Sequence, residues 1–150
     1  KIILCTREGK ESGVGFMARK LIFNDPDYMF KGRSLIFKST NLLETKIERS
    51  SRSFGLSGVS SAKRREVNIL SIDGVYPSKE NIASGKYPLY RPLFITASKT
   101  KSRPEVEMFI DFIKGTDGQE IISSQGTVNL KEGKTLTLLW NEKYPKLKLQ

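Results

Sequence analysis

Short apolar runs of about strand length alternate along this chain with segments whose apolar residues recur at helical spacing. That alternation constrains the fold more than any other feature, and it predicts an α/β arrangement. KIILC (1–5) reads as a buried strand, followed by a polar turn and a helix over 13–23 that stops before Asn-Asp-Pro-Asp at 24–27. SLIFK (34–38), SFGLS (53–57), VNILSI (67–72) and residues 93–97 are further strand candidates. Helices are expected over 41–50, over 78–84 with Gly85 closing the end, and over 104–114. In the last of these Val106, Phe109, Ile110 and Ile113 follow the i, i+3, i+4, i+7 pattern. A further helical turn or two is expected through Ile121 and Ile122 to Gly126. TLTLLW (135–140) alternates like an edge strand.

The stretch TREGKESGVGF (6–16) raises a chemical question, because Ser-Gly stands where the chain enters its first helix. A helix entrance concentrates unpaired N–H donors and about half a positive charge, so an oxyanion can be held there without histidine or metal. On this reading Ser12 offers its hydroxyl, the N–H groups of Gly13 and Val14 face the anion, and Arg7 supplies a charged fork. Glu8 and Glu11 lie close enough in sequence to oppose it. The alternative is structural, with Ser12 a plain N-cap and Arg7 an exposed turn residue.

Composition removes several function classes. The 150 residues contain no histidine and one cysteine, Cys5, inside an apolar run. Histidine-dependent catalysis, the usual zinc centres and an internal disulfide framework are therefore excluded, and Cys5 reads as a buried structural thiol. No activated nucleophile or dinucleotide fingerprint is present, so no catalytic residue and no cofactor are assigned. Asp111 and Glu107 read as a solvated helix face. No apolar run reaches the roughly 18 to 20 residues of a membrane-spanning helix. The formal net charge of +10 favours anionic partners. Only Lys63, Arg64 and Arg65 form a run of three, however, and no nucleic-acid motif accompanies them. Tyr87, Tyr90, Phe94 and Trp140 read as core, with an apolar contact surface as the alternative.

The downstream half carries a resemblance. IDGVYPSKENIASGKYPLYRPLFI (72–95) followed by FIDFIKGTDGQEIISSQGTVNL (109–130) resembles the carboxyl-terminal half of the phosphate-binding proteins of phosphate ABC importers. These belong to the type 2 periplasmic-binding-protein superfamily. SFGLSGVSSA (53–62) resembles the family's glycine-containing strand, and TREGKESGVGF its phosphate loop, where an arginine and an SGT triplet introduce a helix. Here the triplet reads SGV, so the threonine hydroxyl is absent while its backbone N–H remains. Arg7 also stands one residue further from the serine than the family spacing.

The resemblance implies a periplasmic-binding-protein-like lobe with a mixed sheet flanked by helices. It covers residues 1–130 as one partial domain, with 131–150 as a carboxyl-terminal extension and no evident first lobe. A chain that begins at Lys1 without methionine reads as a piece of something longer. By the resemblance, Arg7, Ser12, Gly13 and Val14 bind phosphate or a related oxyanion non-covalently, in the periplasm or outside the cell. The implied partners are an ABC transporter permease or a partner lobe, with self-association as a further expectation. The alternative function is a sensory or protein-interaction module that keeps the fold without the ligand.

Overall fold

The computed structural model describes residues 1–9, 12–30 and 32–145. The chain forms two compact units, Lys1–Ser71 and Ile72–Gln150. The first is α/β, as expected. Strand β1 (Ile3–Arg7) leads to helix α1 (Gly13–Phe23), then to β2 (Ser34–Phe37), helix α2 (Thr40–Glu48), β3 (Ser53–Gly55) and a single turn, α3 (Val59–Ala62). The sheet order is β2-β1-β3, and every pairing is parallel, with Cys5 opposite both Leu35 and Gly55.

Parallel neighbours need a crossover, and the helices α1 and α2 supply it after β1 and β2. Cys5 is 1% exposed and Leu43 is completely buried, so one sheet face closes against α2. The chain leaves α1 at Asn24, whose φ of 53° is left-handed and whose N–H returns to Lys20 O. Pro26 then prevents continuation. A second polar knot ties α2 to α3. The carboxylate of Glu44, 3% exposed, accepts from Ser57 Oγ and, at 2.8 Å, from Ser61 Oγ, while Arg65 Nε lies 3.5 Å away. Arg65 Nη1 also reaches Glu48 at 3.6 Å, so this member of the basic run is engaged in the fold.

The second unit opens with a tight turn. Asp73 (φ 49°) and Gly74 (φ 77°) are both left-handed, and Ile72 and Val75 exchange backbone hydrogen bonds at 3.0 and 2.9 Å across them. This is the geometry that Asp-Gly favours. Helices α4 (Lys79–Ala83), α5 (Pro104–Lys114), α6 (Thr116–Ser124) and α7 (Lys134–Lys143) follow. Ser78 caps α4 through Asn81 N, and Pro104 begins α5 at the position where its missing N–H costs nothing. Lys79 Nζ lies 2.8 Å from Glu132 Oε1 and donates to Ser123 Oγ, which joins α4, α6 and the approach to α7. The small core gathers Pro77, Tyr87, Trp140 and Tyr144, the last two with ring centroids 4.5 Å apart.

Three strand expectations are corrected. Residues 135–140 lie in α7: Leu136 and Leu139 approach Gly85 while Leu138 is exposed, so helical spacing on one packed face overrides the local alternation. Residues 67–72 alternate in exposure, but no strand among the described residues pairs with them beyond the Ile72–Val75 bridge. Residues 93–97 form no helix or strand and pair with no strand among the described residues, with Leu93, Phe94 and Ile95 all more than half exposed. Phe94 therefore leaves the expected aromatic core, which Tyr87 and Trp140 keep. Helix α5 matches its expected bounds, yet Phe109, Phe112 and Met108 face water.

Candidate anion-binding site

The candidate residues come together at the carboxyl end of β1 and the entrance to α1. Arg7 is the last residue of β1, Ser12 is the N-cap of α1, and Gly13 and Val14 form its first turn. Ser12 is buried, and its Oγ accepts from Gly15 N at 3.1 Å, while Phe16 N bonds to Ser12 O at 2.7 Å. One lone pair of the hydroxyl is therefore committed to the cap, and its hydrogen can still be donated. The N–H groups of Gly13 and Val14 have no acceptor among the described residues.

Arg7 is half-buried and partly engaged. Its Nη1 donates to Phe37 O at 2.8 Å, which ties it to the end of β2, and its Nε is buried without a hydrogen-bond partner among the described residues. A buried donor left unsatisfied is costly, and an acceptor oxygen would relieve it. Glu8 is exposed, so its charge acts through solvent; Glu11 lies outside the described residues.

Gly15 decides how closely the loop can fold. A Cβ at this position would fall well inside contact distance of Glu8 O and 3.1 Å from Gly9 O. The backbone after Arg7 therefore rests directly on the first turn of α1, which any larger residue would prevent. Gly15 is thus the packing point of the loop.

Arg19 is the residue that sequence reasoning missed. It is 5% exposed, and its guanidinium donates to Tyr28 O at 2.9 Å through Nε, and to Gly15 O at 2.9 Å and Arg7 O at 3.4 Å through Nη1. The Phe30 ring centroid lies 4.9 Å from its Cζ. It lies in α1 and turns inward, where a basic residue at a helical position is ordinarily read as solvated.

Ser-Gly-Val occurs a second time, at 57–59, where α3 begins. There the carboxylate of Glu44 already occupies Ser57 and Ser61. The first copy lacks such an internal acid among the described residues. Cys5, beside the site on β1, has its thiol pKa pushed up by burial.

No protein-family profile matches the chain. Individual proteins do. A phosphate-binding protein PstS of Borreliella burgdorferi is 30% identical over 118 residues, which is 77% of this chain and 42% of the relative. The chain is similar to phosphate-binding proteins. A phosphate-binding protein PstS 2 of Streptococcus agalactiae is 29% identical over 99 residues, covering 66% of this chain and 33% of the relative. The crystal structure of PstS from Borrelia burgdorferi superposes with a TM-score of 0.54 at 27% identity, over 83% of this chain and 51% of that one. The fold is therefore that of a periplasmic-binding-protein-like α/β lobe. The chain spans less than half the length of the phosphate-binding relatives matched by sequence.

Proposed function

We propose that this chain is the oxyanion-holding part of a solute-binding protein for ABC-type phosphate uptake. The observation that carries the reading is the entrance to α1: a capped helix whose Gly13 and Val14 N–H groups have no acceptor among the described residues, beside an arginine whose buried Nε has no partner among them. Both features are donors, and both suit a tetrahedral oxyanion better than a neutral solute. Similarity to proteins named for phosphate binding supports the same ligand class. Binding is non-covalent. Arg7, Ser12, Gly13 and Val14 hold the anion, the partner is an ABC transporter permease, and the place of action is the periplasm or cell exterior. Titration calorimetry with phosphate, sulfate and a neutral sugar tests this. Saturable binding of an oxyanion, weakened by Arg7→Gln and Ser12→Ala, is expected; heats indistinguishable from the sugar control for every anion would end the proposal.

A second reading, an interaction module without ligand, is favoured by the uncovered apolar residues of α5 and of 93–95. It requires a folded chain that binds no oxyanion and associates through these residues. Sedimentation velocity across a concentration range, with Phe109→Ser as control, separates the two.

A further inference from the structure

Arg19 holds more charge in the fold than the fold neutralises. The guanidinium is 5% exposed, its acceptors are backbone carbonyls of Arg7, Gly15 and Tyr28, and a Phe30 ring faces it. No carboxylate among the described residues pairs with it. Carbonyl dipoles engage Nε and Nη1 and a ring faces the guanidinium, but they leave a net positive charge in a poorly solvated place. That place is the back of the candidate site, because the same Nη1 touches the end of β1 and the first turn of α1.

We propose that Arg19 is a positioning and charge-sensing residue for the anion, one that makes the site prefer a divalent oxyanion to a monovalent one. The inference rests on the oxyanion reading above. Geometrically, Arg19 fixes the strand end carrying Arg7 against the turn carrying Gly13 and Val14. Electrostatically, its field reaches the ligand through protein rather than water, and the incoming anion supplies the counter-charge that the described residues lack.

Coulomb energy is proportional to ligand charge, so removing Arg19's charge multiplies the loss for a dianion. If the monoanion weakens about threefold, the dianion should weaken about tenfold, the square of that factor. Phosphate itself is the probe, titrated calorimetrically on either side of its second ionisation. The chain has no histidine, so no imidazole titrates across that interval. Wild-type protein should bind the dianion more tightly. Beyond the loss of the clasp, which weakens both forms alike, Arg19→Met should lose about threefold for the monoanion and about tenfold for the dianion. Arg19→Lys should weaken both forms by one common factor, because it keeps the charge and loses the three-way clasp. Equal losses for both forms in a folded Arg19→Met would overturn charge sensing. Should that variant not fold, Arg19→Lys decides, since loss of the dianion preference there refutes the proposal. Wild-type protein that binds neither form would instead overturn the oxyanion reading itself, and the proposal with it.

Discussion

Lys79 Nζ and Glu132 Oε1 stand 2.8 Å apart, linking the first residue of α4 to the approach to α7. The Glu132 carboxyl is held below its usual range, first by the Lys79 ammonium and then by the Asn129 N–H. A carboxylate depressed in the fold contributes stability above its unfolded pKa and loses it as pH falls through the folded one. Stability of the second unit should therefore decline as pH drops below about 4.5, the ordinary value, and Glu132→Gln should flatten that limb. Urea unfolding at a series of acidic pH values measures it. At neutral pH the substitution should cost about 0.5–1 kcal/mol, since both side chains are partly solvated.

Gly15→Ala tests the loop contact. The added methyl meets the Glu8 carbonyl, a backbone atom that cannot swing aside. A loss of about 1–3 kcal/mol is expected in urea unfolding, together with weaker phosphate binding. Unchanged stability would mean that the loop does not rest on α1.

Ser12→Ala removes the acceptor of Gly15 N–H and should destabilise the fold by about 1 kcal/mol. Ser12→Gly should recover most of that stability, because glycine also caps well, while recovering none of the binding that the hydroxyl provides. The split between thermal midpoint and calorimetric affinity separates the cap from the ligand role.

Glu44→Ala should be severe. It leaves two serine hydroxyls without their buried acceptor while Arg65 keeps Glu48, and a loss of about 2–3 kcal/mol is expected. Equilibrium unfolding reads the loss. Cys5 should react with a thiol reagent only as fast as the first unit opens, since burial both hides the thiol and raises its pKa.

Local chemistry was the legible part of this chain. Ser12 and Ser78 as caps, Asn24 and Pro26 as a stop, the Asp73-Gly74 turn and the full extent of α5 were all readable, because each depends on residues within a few positions. The failures share a different cause. Residues 67–72, 93–97 and 135–140 have strand-like patterns, but a strand exists only where another strand offers an edge, and a pattern cannot show that. Arg19 was hidden for a related reason: its acceptors are the carbonyls of residues 7, 15 and 28, and carbonyls leave no trace in side-chain identity. The same holds for Gly15, whose necessity comes from the carbonyl opposite it.

Leu93, Phe94 and Ile95 lie in water outside any helix or strand, with no backbone hydrogen bond among the described residues closing that run. Such a segment is what a chaperone grips, a protease threads or another extended chain zips onto. We expect the survival of this polypeptide in a cell to be decided there. Phe94→Lys should lengthen its half-life and raise its soluble yield, with phosphate affinity untouched.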